Sequence, residues 1–81
     1  MYTVYILQSE KTSKYYIGQT KDIFRRLNYH NSGYSKSTKS GIPWKLIYTE
    51  NLSSRSEAMK RESFLKRMKS SNYIENLIVQ I

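Results

Sequence analysis

Hydrophobic and polar positions along the chain predict a β-hairpin near its start. Two runs of β-branched and aromatic residues, Tyr2–Leu7 and Tyr15–Thr20, lie on either side of the polar stretch Ser9–Lys14. Short runs of this composition, separated by polar turn residues, are typical of paired antiparallel strands. The turn contains neither Asn-Gly nor Asp-Gly, so the pattern predicts the hairpin and leaves its register open.

A third strand is predicted over Trp44–Glu50. Within it, Trp44, Leu46 and Tyr48 occupy every second position. Successive side chains of a strand point to opposite faces of a sheet, so these three large side chains are predicted to share one face. We expect the first two helices to pack against that face.

The first helix is predicted over Ile23–Asn31. Ile23, Leu27 and His30 have the spacing of one helical face, and Asp22 directly before them is a favoured N-cap residue. The helix therefore follows the hairpin after only a short connection.

Two more helices follow the third strand. Ser54 and Glu57 have the S-x-x-E spacing of a capping box, and a helical pattern continues from there through Met68. The last apolar segment, Tyr73–Ile81, fits a third helix or a closing strand, and we favour the helix. A polar loop over Gly33–Pro43 completes the chain. We predict one α+β domain over residues 1–81, a small three-stranded antiparallel sheet flanked by two or three helices.

The composition excludes several classes of protein. A chain of 81 residues has too thin a core to enclose a haem, a flavin or another small-molecule cofactor. It contains no cysteine and one histidine, which excludes disulfide frameworks, thiol nucleophiles and multi-histidine metal centres. No apolar run approaches the length of a membrane span, and the first residues lack a signal-peptide pattern. We expect a cytoplasmic protein, monomeric and without a membrane partner.

The chain is strongly basic, with a formal net charge of +8. Such a charge run is often only a solvated surface, but it also attracts phosphate polyanions, and Tyr29, Tyr34 and Trp44 between the basic residues are able to stack on bases. Nucleic acid is therefore the predicted partner. The predicted contact residues are Lys21, Arg25, Arg26, Lys36, Lys39 and Arg61.

Arg26 and His30 are four residues apart and share one face of the first predicted helix. Two interpretations remain open from spacing alone. Arg26 extends along the edge of the sheet while His30 is a hydrogen-bonded boundary residue, or both side chains belong to a functional site.

Glu62 falls on the face of the second predicted helix that also carries Ala58 and Leu65. A carboxylate on an apolar face needs a compensating positive charge, because burying an unpaired charge costs several kcal/mol. The pattern leaves two candidates open, an ion pair with Arg26 and a divalent metal ion.

Several blocks of sequence resemble the GIY-YIG nuclease superfamily. Thr3-Val4-Tyr5 and Tyr16-Ile17-Gly18 are similar to its paired motifs, with Thr and Val in place of the glycine and isoleucine of the first motif. The blocks Thr20–Asn31, Trp44–Tyr48 and Ala58–Lys66 are similar to its arginine helix, third strand and acidic helix. The whole resembles the small stand-alone branch of the superfamily, which is related to the N-terminal domain of an excision-repair nuclease.

The resemblance implies a phosphodiester hydrolase that uses one Mg²⁺ or Mn²⁺ ion. Glu62 would be its metal ligand, and Arg26 would bind the scissile phosphate. Tyr5 would be the general base or would orient the attacking water, and Tyr16 would hydrogen-bond the water or the phosphate. His30 would relay the proton or position the phosphate.

The predicted activity is that of a metal-dependent DNA endonuclease, with DNA repair or recombination as the process it would serve. An alternative is a nucleic-acid-binding module of the same fold with weak or no catalysis, and a further one is an interaction subunit of a larger complex. The late asparagine that some members use has two candidates, Asn72 and Asn76.

Overall fold

The computed structural model describes residues 1–70 and 72–79. It contains a three-stranded sheet and helices on both of its faces. The elements are β1 (Tyr2–Ser9), β2 (Tyr15–Thr20), α1 (Ile23–Asn31), a short 3-10 turn (Lys39–Gly41), β3 (Trp44–Leu52), α2 (Arg55–Arg67) and α3 (Tyr73–Val79).

The predicted elements are confirmed within the described residues. β2 and α1 have the predicted bounds, while β1 and β3 each continue two residues further than predicted. The last segment is a helix, and its predicted end at Ile81 lies outside the described residues. Both predicted N-caps are present, since Asp22 accepts a hydrogen bond from the Arg25 amide and Ser54 accepts one from the Glu57 amide.

The sheet has the order β2-β1-β3, and all its strands are antiparallel to their neighbours. The hairpin register that the sequence left open pairs Tyr5 with Gly18 and Leu7 with Tyr16. β1 is therefore the central strand, and four consecutive residues of it, Val4 to Leu7, are buried. A central strand covered on both faces has this continuous apolar character instead of an alternating one.

One prediction for β3 is wrong, because a β-bulge interrupts the strand. Leu7 pairs with Leu46, whereas Ile6 pairs with Tyr48, so Ile47 is an extra residue on β3. The bulge moves Tyr48 to the opposite face from Trp44 and Leu46. Regular alternation, on which the prediction relied, fails at this position.

A separate apolar cluster lies on each face of the sheet. One contains Val4, Ile6 and Ile17 of the sheet with Ala58 and Leu65 of α2, and it also takes in α3. The other contains Tyr5, Leu7 and Trp44, packed against residues of α1. The prediction that both helices pack against the Trp44 face is therefore wrong, because α2 lies on the opposite face. The second cluster carries the polar groups described below.

Asn31 fastens the end of α1 to the start of β3. Its side-chain amide donates to the Trp44 carbonyl oxygen at 2.9 Å, and its side-chain oxygen accepts from the Trp44 amide at 2.6 Å. A single side chain thus satisfies both backbone groups of a residue at the edge of the sheet. This contact fixes α1 over the face that contains Tyr5.

We predict that Asn31→Ala lowers the free energy of unfolding by about 1–3 kcal/mol, because both backbone groups of Trp44 lose their partner. Urea denaturation measures the change. Asn28→Ala is the matched control, since Asn28 is exposed on the same helix. Equal losses in the two variants would contradict this role for Asn31.

Candidate active site

The hydroxyl of Tyr5 begins a chain of buried hydrogen bonds beneath α1. It lies 3.1 Å from Nε2 of His30, and Nδ1 of the same ring lies 3.0 Å from the Thr38 hydroxyl. Tyr5 is 2% exposed, His30 1% and Thr38 0%. Three polar side chains in an apolar cluster are thus hydrogen-bonded mainly to one another, which burial requires.

The direction of this chain follows from counting donors. The Thr38 hydroxyl also lies 3.5 Å from the Ser35 carbonyl oxygen, which accepts its proton. Thr38 then accepts from Nδ1–H of His30, and the free lone pair on Nε2 accepts from the Tyr5 hydroxyl. In the opposite tautomer the Tyr5 proton has no acceptor within residues 1–70 and 72–79. We therefore assign the Nδ1–H tautomer to His30.

Burial and neighbouring charges keep both rings neutral. Burial, the Tyr16 phenol and the Glu62 carboxylate raise the pKa of Tyr5, and Arg26 opposes them in part. Burial, followed by the charge of Arg26, lowers the pKa of His30 below its ordinary value of 6.5. The unfolded chain therefore binds a proton more readily than the folded one, and His30 makes stability fall as pH falls through 6.5.

Tyr16 lies beside this buried pair. Its ring centroid is 4.6 Å from that of His30 and 6.4 Å from that of Tyr5. It is half-buried, so it is more accessible to solvent than Tyr5. The structure thus brings together both motif tyrosines and the histidine.

Gly18 provides the space for the Tyr5 ring. A Cβ atom at position 18 would lie 2.6 Å from the Tyr5 hydroxyl oxygen and 2.8 Å from Cζ. Both distances are shorter than a side chain tolerates. The glycine of the second motif is therefore needed for close packing at the Tyr5 hydroxyl.

Arg26 is the exposed cation next to the buried pair. Its guanidinium lies over the ring of Tyr29, 5.4 Å from the centroid, and its charge acts on the pKa values of Tyr5 and His30. Arg26 also lines a polar groove of about 470 Å³ together with Thr20, Lys21, Asp22, Arg25 and Tyr29. Three of the predicted nucleic-acid contacts, Lys21, Arg25 and Arg26, therefore share one groove.

The charged side chain in contact with Glu62 is Lys66, and not Arg26, one of the two partners that its spacing left open. Its Oε2 lies 2.8 Å from Nζ of Lys66, one turn along α2. No ion pair to Arg26 forms within the described residues. The Glu62 side chain is 18% exposed, and its charge still acts on Tyr5. It therefore lies at the margin of the cluster, and not deep in the core as the apolar helix face suggested.

The donor set fits one hard cation with few protein ligands. A carboxylate oxygen is the donor that Mg²⁺ and Mn²⁺ prefer, and Mg²⁺ keeps several waters and takes one or two carboxylates plus phosphate oxygens. In residues 1–70 and 72–79 no three His, Cys, Asp or Glu side chains group closely enough to form a metal cage. Glu62 offers a carboxylate donor of this kind at the margin of the cluster.

The remaining predicted contacts are placed differently. Lys36 and Lys39 are exposed on the loop before β3. Arg61 is engaged elsewhere, since its Nε lies 3.0 Å from Oε1 of Glu50, and Tyr48 donates to the same carboxylate at 2.7 Å. That contact joins α2 to β3, so Arg61 has a structural role and is not part of the groove.

Sequence reasoning missed Thr38, and it was wrong to count Trp44 among the rings able to stack on a base. Trp44 is 7% exposed, and its indole N–H donates to the Thr38 carbonyl oxygen at 2.7 Å, so its ring is not available to stack on a base. A threonine in a polar loop carries no periodic signal. Only the fold shows that this loop returns to His30.

Comparison with known proteins matches the same residues. The model of the GIY-YIG catalytic domain matches residues 1–75. A UPF0213 protein of Streptococcus pneumoniae is 48% identical over 67 residues, which cover 82% of this chain and 67% of that protein. The structure-specific endonuclease subunit SLX1 of Meyerozyma guilliermondii is 40% identical over 80 residues, which cover 90% of this chain and 27% of that protein.

A solved structure has the same fold. The solution structure of a UPF0213 protein from Bacillus halodurans superposes with a TM-score of 0.62 at 34% identity, over 99% of this chain and 85% of that one. The fold and the matched residues define a nuclease-type catalytic domain. The chain belongs to the GIY-YIG family. Within it, the chain is similar to the small stand-alone UPF0213 proteins, as predicted.

Among the described residues, no helix has the length and apolar character needed to cross a bilayer.

Thr3, which stands in place of the glycine of the first motif, is accommodated locally. Its hydroxyl donates a hydrogen bond to the Asn51 side-chain oxygen on β3 at 2.8 Å. Asn72 and Asn76 are both exposed, Asn72 just before α3 and Asn76 within it.

We predict that Gly18→Ala lowers the free energy of unfolding by about 1–3 kcal/mol, since the new methyl group displaces the Tyr5 ring from its packed position. A urea denaturation series measures this. In a Tyr5→Ala background the methyl group meets no ring, so the same substitution costs much less. An undiminished cost in that background would show that Tyr5 is not the group that Gly18 accommodates.

Proposed function

We propose that this domain is a divalent-metal-dependent endonuclease that hydrolyses DNA phosphodiester bonds. The observation that carries the proposal is the buried Tyr5–His30 pair, on which the charges of an exposed arginine, Arg26, and of the Glu62 carboxylate both act. A module that only binds nucleic acid needs basic residues, but it needs neither a buried proton acceptor nor a carboxylate near a phosphate site.

Arg26 binds the scissile phosphate in this proposal. Its guanidinium is exposed in the polar groove, and its planar donors suit phosphate oxygens. Negative charge grows on those oxygens as the attacking water adds to phosphorus, so Arg26 stabilises the transition state more than the ground state. Tyr16, half-buried at the margin of the pair, orients the water or a phosphate oxygen.

Tyr5 and His30 take up the proton of the attacking water. The raised pKa of Tyr5 keeps the phenol protonated at neutral pH, so it accepts a proton only if it passes its own proton on. Nε2 of the neutral His30 is positioned to receive it at 3.1 Å. The bond between the water oxygen and phosphorus forms, one P–O ester bond breaks, and the proton resides on His30, where Thr38 accepts from Nδ1–H.

Glu62 is the residue that would hold the metal ion. A bound Mg²⁺ or Mn²⁺ supplies positive charge to the phosphate oxygens and to the leaving oxygen. Lys66 contacts Oε2 of the carboxylate at 2.8 Å. A hard cation held by Glu62 would share the carboxylate with Lys66 or replace it, because Mg²⁺ and Mn²⁺ prefer an anionic oxygen.

The relatives support a DNA substrate and a nuclease reaction. The family model is that of a catalytic domain, and one relative is named as a subunit of a structure-specific endonuclease. The matched segment is about a quarter of that relative. We therefore propose the cleavage reaction for this domain, with repair or recombination as the process in which it acts.

We predict that Arg26→Ala lowers the rate of DNA cleavage in Mg²⁺ by roughly a hundredfold to a thousandfold, the usual loss when a preorganised charge stabiliser is removed. Glu62→Gln loses a comparable factor but costs stability only about 0.5 kcal/mol or less, since Lys66 is an exposed partner. Nicking of labelled duplex and branched DNA measures the rates, and thermal melting measures the stability.

Arg55→Ala and Glu75→Gln are the matched controls, because both side chains are exposed and lie outside the cluster. Both keep the wild-type rate. Cleavage that persists in EDTA, or that survives Glu62→Gln, would exclude the proposed metal site. A wild-type protein that binds DNA but never cuts it with Mg²⁺ or Mn²⁺ would instead support the binding module.

A further inference from the structure

Two tyrosines near the polar groove are unusually exposed. Tyr34 is 79% exposed and Tyr29 is 41% exposed. Their rings stack on each other, with centroids 6.3 Å apart and planes inclined by 25°. Large aromatic side chains contribute most to stability when buried, so an exposed stacked pair points to a surface that binds something.

This pair is continuous with the proposed active site. The Arg26 guanidinium lies over the Tyr29 ring at 5.4 Å, and the Tyr29 ring also meets His30 at 5.7 Å between centroids. Tyr29 lines the same groove as Arg26. A column therefore runs from the phosphate-binding cation through Tyr29 to the exposed ring of Tyr34.

The chemistry of Arg26, Tyr29 and Tyr34 indicates which kind of ligand they bind. An aromatic ring in basic surroundings binds the flat face of a nucleobase, while the nearby cation binds the backbone phosphate. The bases of a continuous duplex are already stacked on each other, and only an unpaired base offers a free face. We propose that Tyr29 and Tyr34 form a stacking platform for an unpaired base that adjoins the phosphate held by Arg26.

This inference rests on the proposed function and specifies its substrate as DNA with unpaired nucleotides next to the cleavage point. Phe24 provides the contrast. It is nearly as exposed as Tyr34, at 74% against 79%, but it is not among the residues that line the groove. A comparison of Phe24 with Tyr34 therefore separates the effect of exposure from the effect of a position next to the groove.

Binding without cleavage tests the platform. Fluorescence anisotropy in EDTA compares a labelled blunt duplex with the same duplex that carries a single-stranded thymine tail. We expect the wild type to bind the tailed DNA more tightly. Tyr34→Leu, which removes the aromatic face, weakens binding of the tailed DNA by roughly fivefold to a hundredfold and leaves the blunt duplex unchanged. Tyr34→Phe keeps the ring and binds like wild type.

Phe24→Leu is the matched control and changes neither affinity. Thermal melting checks that the Tyr34→Leu protein is folded. Equal affinity of wild type and Tyr34→Leu for the tailed DNA, or an equal loss on both DNAs, would overturn the platform. If the wild type also cuts DNA in Mg²⁺, that result leaves the proposed function intact. A wild type that binds neither DNA would overturn the platform, and one that also cuts no DNA in Mg²⁺ or Mn²⁺ would overturn the proposed function as well.

Discussion

The hydrogen bond between the Tyr5 hydroxyl and Nε2 of His30 is the constraint on which the rest of the site depends. Both side chains are buried, so the imidazole of the resting protein is neutral and each of its nitrogens needs a partner. Thr38 is the second partner, and this requires the loop before β3 to return to α1. Two hydrogen bonds hold the loop in this position. The Trp44 indole donates to the Thr38 carbonyl oxygen, and the Ser9 hydroxyl donates to the Gly41 carbonyl oxygen.

This arrangement separates two tasks in space. The two groups that we propose exchange a proton, Tyr5 and His30, are buried, so water does not compete for their hydrogen bond. The groups that we propose bind the polyanion, Arg26 and its basic neighbours, lie at the surface in a polar groove. The charge of Arg26 joins the two regions, because it lowers the pKa of His30 and opposes the rise in that of Tyr5.

Local pattern was sufficient to predict the hairpin, the capped helices and the face shared by Arg26 and His30, because these depend on residues close in sequence. The bulge at Ile47 escaped prediction, since it exists only through the pairing of β3 with β1. The ion-pair partners of Glu62 and Arg61 could not be predicted from local pattern for a related reason. A charge on a helix has several cations or carboxylates within reach, and the packing of α2 decides among them.

Nitrogen NMR of the His30 ring tests the central claim most directly, and the chain contains no other histidine to confuse the assignment. At neutral pH we expect a protonated Nδ1 and an unprotonated Nε2, whose resonance lies far downfield. The ring should take up a second proton only at a pH below the ordinary histidine value of 6.5. A charged ring at neutral pH, or a proton on Nε2 in the neutral ring, would contradict the proposed proton acceptor.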